Sequence, residues 1–343
     1  MLQNGRWFTR TFNIMTDTFN ALVARQQNDK HTVAFETLTP DELDPGDVTI
    51  AVDYSTVNYK DGLAITGAAP IVQRYPLVLG IDFSGTVIES YNAGFQEGDR
   101  VVLNGFGASE RLHGGYAERA QVNGDLLVKL PESISNRQAM AIGTAGYTAM
   151  LCVLAIQDAG TVPENGPVLV TGAAGGVGTI AISLLASLGF DVAASTGREE
   201  ETAFLKSLGA NEVLDRHALS DAGKPLQREK WGAVVDCVGS NTLANAIAQT
   251  CYGGAVAACG LAQGADLPAT VMPFILRSIK LLGVDSVQAP LSARQRAWEA
   301  LATTLDTAKL ESLCFDLPFD QVPNAAQEIL KGQIRGRAIV AIS

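Results

Sequence analysis

Apolar and polar positions alternate with a period of two in short runs from Asn20 to about Leu130: "NALVAR", "DVTIAVDYSTV", "GTVIES", "RVVLNG", "YAERAQV" and "LLVKL". Turn clusters such as "DPGD" and "FQEGDR" separate them. Such alternation with Gly, Pro and Asp between the runs predicts strands, so this part reads as a β-rich, partly rolled-up domain. After Pro131 the period changes. "SNRQAMAIGTAGYTAMLCVLAI" has helical spacing behind a Ser/Asn start. Strands then alternate with helices: "PVLVTG", a helix stopped by Gly189, "DVAAST", the helix "EEETAFLKSL" stopped by Gly209, "EVLD", "GAVVDCVG", a helix from about Thr242, "AVAACG" and "KLLGVDS". Switching between periods of two and 3.6 predicts a parallel, doubly wound sheet. From Ser292 follow the helix "SARQRAWEALATTLDT", a second around "VPNAAQEILKG" and the strand "GRAIVAI", a tail expected to return to the first domain.

At 343 residues the chain is long enough for two cores. Hydrophobic residues make up 47% and charged residues 18%, which fits a globular protein with large buried faces. Two stretches lack charge, Ala139 to Ile156 and Asn165 to Phe190. Glycines interrupt the second, so a buried strand followed by a buried helix fits it better than a membrane span. A formal net charge of −11 opposes binding to nucleic acid or anionic lipid. The five cysteines are an odd number without CxxC spacing, which disfavours a disulfide framework or zinc knuckle and points to a reducing, cytoplasmic compartment. Residues 1–14 precede a second methionine, Met15, and read as an upstream start or a disordered arm. No apolar stretch of a targeting peptide follows Arg6 and Arg10.

The most informative segment is "VLVTGAAGGVGTIAISLLASLGFDVAASTGREEE", from Val168. An apolar strand meets glycines at 172, 175 and 178, directly before a helix. Against G-x-G-x-x-G, alanine holds the first place. Gly175 and Gly176 let main chain approach a pyrophosphate, and the helix starting near Val177 offers unpaired N–H groups and a positive dipole end. Strand, turn, helix and second strand together predict a dinucleotide site that includes Ala174, Gly175, Gly176 and Val177. An NAD site usually carries an acid about 20 residues past the glycines. Here stand Ser195, Thr196, Gly197 and Arg198. Hydroxyls and a guanidinium suit a 2′-phosphate, so the predicted cofactor is NADPH. The alternative for Arg198 is a solvated residue at a helix start, and Glu199 to Glu201 suit that helix's N-terminus.

With these residues the chain resembles the medium-chain dehydrogenase/reductases, in their zinc-free quinone-oxidoreductase-like branch, and most of all the bacterial NADPH-dependent acrylyl-CoA reductases. Further stretches carrying the resemblance are "NYKDGLAITG" (58–67), "PLVLGIDFSGTV" (76–87), "IGTAGYTAMLCV" (142–153), "LKSLGA" (205–210), "YGGAVAACGLA" (252–262), "LPATVMPFILR" (267–277) and "LLGVDSV" (281–287). It covers nearly everything from Asn20 onward. It implies an α/β protein with a GroES-like β-rich catalytic domain, 15–138 and 292–343, around a Rossmann domain, 139–291. Zinc-dependent relatives carry Cys where Asn58 stands and "GHE" where Gly80, Ile81 and Asp82 stand. His31, His113 and His217 sit in no cluster, so no metal is expected.

Reducing an activated C=C without metal needs a hydride donor, donors aimed at the developing enolate oxygen, and a proton for the α-carbon. A CoA thioester is the expected small-molecule substrate. The resemblance places Tyr59 by the nicotinamide; the alternative is a buried tyrosine bonded to a carbonyl. Asn58 is a candidate donor to substrate, with Lys60 and Asp61 as an adjacent ion pair. "DCVG" (236–239) with Cys237, "CGLA" (259–262) with Gly260 and Leu261, and Val284, Asp285 and Ser286 are expected at the nicotinamide end. Arg337 matches a basic position reaching the cofactor in relatives; the alternative is a surface arginine. Cys237 and Cys259 read as packing residues. Arg277, Lys280, Arg294 and Arg296 are candidates for coenzyme A phosphates. The resemblance implies a homodimer, with "AVAACG" and "KLLGVDS" offered as its edge. Quinone or alkenal reduction, and nucleotide binding without turnover, are the competing readings.

Overall fold

The computed structural model describes residues 18–28 and 30–342; the expected extension 1–14 lies outside them. The chain first runs through β1 (Phe19–Gln27), β2 (Lys30–Leu38), β3 (Val48–Thr56), α1 (Tyr59–Thr66), β4 (Leu77–Val78), β5 (Asp82–Ser90), β6 (Arg100–Asn104), β7 (Arg119–Val122) and β8 (Val128–Lys129). Next come α2 (Asn136–Asp158), β9 (Val168–Thr171), α3 (Gly176–Ser187), β10 (Val192–Thr196), α4 (Thr202–Leu208), β11 (Glu212–Asp215), α5 (His217–Ser220), β12 (Trp231–Asp236), α6 (Ser240–Gln249), β13 (Thr250–Ala258), α7 (Met272–Arg277) and β14 (Lys280–Gly283). The tail holds α8 (Leu291–Thr304), α9 (Thr307–Ser312), β15 (Cys314–Leu317), α10 (Val322–Leu330) and β16 (Arg337–Ala341).

Among the described residues the strands form three sheets. β2, β1 and β4 make a small antiparallel one. β15, β16, β3, β5, β6 and β8 form the larger β-rich sheet, with β7 also paired to β3. The third has the order β11-β10-β9-β12-β13-β14, with every pair parallel. All four residues of β9 are buried, as a central parallel strand covered on both faces requires. Its order reverses direction between β9 and β12, so the carboxyl ends of these strands flank a switch point, where open α/β sheets bind ligands.

Helix α2 starts at a Ser135/Gln138 capping box and crosses the expected boundary between residues 138 and 139. It packs on β3 and β5 on one side and on α3 and β13 on the other. Its apolar length is core: 83% of its most apolar window is buried. The helix is kinked at Gly143, where φ is 51°. A Cβ there would run into the Arg337 guanidinium and lie 3.2 Å from Asp82 Oδ2. Glycine is therefore required twice over, for the left-handed conformation and for the close approach. In the tail, α8 lies on α2, α10 lies on α1, and β16 pairs with β3.

Candidate active site

The glycine segment forms the turn between β9 and α3, with Gly175 as the helix N-cap. A Cβ on Gly178 would lie 2.5 Å from Gly172 O, so strand and helix approach as closely as main chain permits. Helix geometry leaves the N–H groups of Gly176, Val177 and Gly178 without intrahelical acceptors. Gly175 is exposed, Gly176 and Val177 are half-buried, and Ala174 is buried beneath them. A dinucleotide's diphosphate fits this turn on both counts, bare main chain and free donors.

At the end of β10, Ser195 and Thr196 are buried, Gly197 is exposed and Arg198 is half-buried. Thr196 Oγ1 accepts from the Arg198 N–H at 3.2 Å. The Arg198 guanidinium turns toward the glycine segment: Nη2 donates to Ala174 O at 2.9 Å and Nη1 to Gly332 O at 3.4 Å. Arg216, just after β11, was missed by sequence reasoning. A Cβ on Gly197 would lie 2.5 Å from Arg216 Nε and 2.9 Å from its Cζ, so this exposed side chain lies across Gly197. Two guanidinium groups thus border the strand end where a 2′-phosphate is expected. The signal available was one more basic residue at the end of the next parallel strand.

The other predicted positions gather at the same carboxyl ends. Cys237 follows β12, Gly260 and Leu261 follow β13, and Val284, Asp285 and Ser286 follow β14. The main chain of Gly260 packs directly on the Cys237 carbonyl, and the Val284 N–H donates to Ala258 O at 2.9 Å. Cys237 Sγ lies 3.8 Å from Cys259 Sγ. Hydrogen bonds from the Cys152 and Cys237 thiols pull the Cys259 thiol below its ordinary range and push their own above it. This thiol cluster is not legible from cysteine spacing, because Cys152, Cys237 and Cys259 are far apart along the chain.

Several expectations are corrected. Asn58 does not offer its amide to substrate: it is 8% exposed, and Nδ2 donates to Asp61 Oδ2 at 3.2 Å and to both Asp82 oxygens at 3.3 Å. Lys60 and Asp61 are no ion pair, because Lys60 pairs with Glu110 and Asp61 is buried. Arg337 is no surface residue: at 3% exposure it donates to Ala141 O, Thr56 Oγ1 and Asn58 Oδ1 at 3.1–3.3 Å. A Cβ on Gly176 would lie 3.1 Å from Arg337 Nη1, so the guanidinium sits directly beneath the glycine turn. Arg294 is buried and donates to main-chain carbonyls, out of reach of coenzyme A phosphates. Arg277, Lys280 and Arg296 are engaged by Ala248 and Gln227 carbonyls, by Ala159 O and by Asp158. Tyr59 opens α1 at 59% exposure, which removes the buried alternative. Strand β13 is paired on both sides and is no edge; β14 ends the sheet.

Asn58, Asp61, Asp82 and Arg337 form one buried network. Burial, then the neighbouring Asp82 charge, raise the Asp61 carboxyl to about 7. Burial raises Asp82 too, opposed by the Arg337 charge, and burial lowers Arg337. Asp61 is also faced by the Asn58 and Ile81 N–H groups and by Tyr116. Between the ordinary carboxylate value of 3.8 and about 7, the folded chain keeps a proton that the unfolded chain releases. Stability therefore falls as pH rises through that window. The variant Asp61→Asn is expected to flatten this slope in thermal melts taken across it; an unchanged slope would refute the assignment to Asp61.

Among the described residues no group of three His, Cys, Asp or Glu side chains is placed to hold a metal ion. The family model described as the alcohol dehydrogenase GroES-like domain matches residues 44–132, and the zinc-binding dehydrogenase model matches 176–305. Acrylyl-CoA reductase AcuI of Ruegeria pomeroyi is 49% identical over 95% of this chain and 99% of its own length. The chain belongs to the medium-chain dehydrogenase/reductases. Within them it falls in the zinc-free quinone-oxidoreductase-like branch, with the GroES-like and Rossmann-like domains of that family. The structure of the yhdH oxidoreductase from Salmonella enterica in complex with NADP superposes with a TM-score of 0.92 at 47% identity, covering 94% of this chain and 100% of that one. Bacillus subtilis yhfP with NAD bound superposes with a TM-score of 0.91 at 44% identity, covering 94% and 99%.

Proposed function

We propose that this chain uses NADPH to reduce the C=C bond of acrylyl-CoA to propanoyl-CoA, without a metal. The observation that supports it most is the pairing of a bare diphosphate turn with two guanidinium groups at the end of β10, in a chain 49% identical to an acrylyl-CoA reductase. NADPH supplies the hydride that goes to the β-carbon. The protein's part is placement and electrostatics. Gly175 to Val177 seat the diphosphate, and Arg198 with Arg216 holds the 2′-phosphate. Arg337 supports the turn from below with its positive charge. Cys237, Gly260, Leu261 and Val284 to Ser286 line the nicotinamide end. Tyr59, exposed at the start of α1, orients the nicotinamide. Negative charge on the thioester oxygen is stabilised by N–H or O–H donors, and the α-carbon takes its proton from an acid or water.

The name printed for Bacillus subtilis YhfP, 43% identical over 96% of this chain, is putative quinone oxidoreductase, and this favours a second reading. Steady-state NADPH oxidation with acrylyl-CoA, a free alkenal and a quinone decides between them. A kcat/KM for acrylyl-CoA at least about tenfold above the others is expected, a difference of about 1.4 kcal/mol in transition-state binding. A quinone preference would reject the first reading. The variant Tyr59→Phe is expected to lower kcat/KM about two- to tenfold, the range of one lost neutral hydrogen bond. Complete loss of turnover with intact NADPH binding would make the hydroxyl essential instead.

The proposal extends to a cytoplasmic homodimer. Five reduced cysteines support the compartment. β14 has no partner on its outer side among the described residues, and Leu261, Val271, Ile275 and Leu276 are exposed nearby in sequence.

A further inference from the structure

Arg294 lies on α8 and is 1% exposed, yet no carboxylate pairs with it among the described residues. Asp285 acts on it only through space, and a buried guanidinium without a directly bonded carboxylate is costly, so its hydrogen bonds must explain its presence. All of them go to main-chain carbonyls. Nε donates to Ala289 O at 2.9 Å, and Nη2 to Ser286 O at 3.0 Å and Val287 O at 2.8 Å. Nη1 donates to Asn104 O, at the end of β6. Its Cζ lies 3.6 Å from the centroid of the Phe106 ring. The two segments it bridges also touch each other. Phe106 N–H donates to Val287 O at 2.9 Å, and a Cβ on Gly105 would lie 3.0 Å from Val287 Cα.

We propose that Arg294 is a positioning residue for hydride transfer: it clamps the Val284–Val287 segment, at the nicotinamide end, to the catalytic-domain loop Asn104–Phe106. The inference rests on the NADPH reading given above. The planar fork reaches diverging carbonyls on two segments at once, which a lysine ammonium on a thinner stem does not reproduce. A small displacement of either segment changes the approach of the transferred hydrogen to the β-carbon, and reaction rate is steeply sensitive to that geometry. Arg294 touches neither reactant, so its effect is on placement.

The test uses the full chain with Arg294→Lys and Arg294→Met. Three quantities are measured: kcat and KM per folded enzyme, the isotope effect with NADPH deuterated at the transferred position, and the fluorescence lifetime of bound NADPH. In Arg294→Lys, kcat is expected to fall about ten- to hundredfold, with KM for NADPH changed by less than about threefold, because the adenosine end is held elsewhere. The isotope effect rises as hydride transfer becomes limiting, and the lifetime moves toward that of free NADPH as the ring loosens. A lower melting temperature with kcat, isotope effect and lifetime unchanged would reduce Arg294 to a packing role and overturn the proposal. If Arg294→Met does not fold, Arg294→Lys still decides. If the wild-type chain binds NADPH but leaves acrylyl-CoA untouched, the proposed substrate fails, while the lifetime comparison still tests Arg294.

Discussion

Replacing Arg337 by methionine is expected to cost about 3–5 kcal/mol of stability, the usual loss when one partner of a buried charge group is removed. The guanidinium lies among Asp82, Asn58, Thr56 and the Ala141 carbonyl, with the Asp61 carboxylate close enough to feel its charge. Without it, two buried carboxyls face each other with only amide and N–H donors between them. Asp61 already holds a proton below about 7, so Asp82, deprived of its counter-charge, is driven to take one as well, and the deficit is larger at about pH 8 than at about pH 5. Denaturant unfolding at both pH values checks this. Adding Asp82→Asn to Arg337→Met should recover part of the loss, since it removes the charge left unpaired. The pair of variants separates an electrostatic role from simple packing: no recovery, with no dependence on pH, would mean that the lost volume matters and the charge does not. Because the same side chain sits beneath Gly176, weaker NADPH binding is expected in the single variant.

The second large effect concerns cofactor choice. Arg198→Ala should raise KM for NADPH about ten- to hundredfold and leave KM for NADH nearly unchanged. Charge-assisted hydrogen bonds to a phosphate contribute about 1.5–3 kcal/mol, and NADH has no such group to lose. Arg216→Ala should act in the same direction with a smaller effect, because this residue is exposed and its attraction is screened by solvent and salt. Steady-state kinetics with both cofactors at fixed ionic strength tests both. Equal weakening toward NADPH and NADH would move these residues away from the 2′-phosphate.

The parts of this site that follow one another in sequence could be read directly. The buried strand β9, the glycines and the helix behind them carry their own periodicity, and their function depends on main chain that no side chain obstructs. Arg198 was legible because it occupies a place that an acid usually holds. The buried network was not. Asn58 and Arg337 are 279 residues apart, and only folding brings the amide onto the guanidinium. Arg294 and Asn104, 190 residues apart, escaped notice for the same reason. Helix α1 was missed on local grounds. Gly62 disfavours a helix of eight residues, yet it is needed there: a Cβ would lie 2.8 Å from Ile329 Cγ2 and 2.9 Å from Ala326 O on α10. Tertiary packing overrides propensity at that position. Strand β2 was missed because its burial does not alternate cleanly, so no period of two marks it.

The hold of the Ala174 and Gly332 carbonyls on Arg198 has an evolutionary corollary. The arginine's rotameric freedom is already restricted by folding, so less entropy remains to be lost when it grips a ligand. Gly332 belongs to the turn after α10, far along the chain from the strand that carries the arginine. Sequence drift in that remote turn can therefore retune the preference between the two nicotinamide dinucleotides while every residue of the fingerprint stays the same.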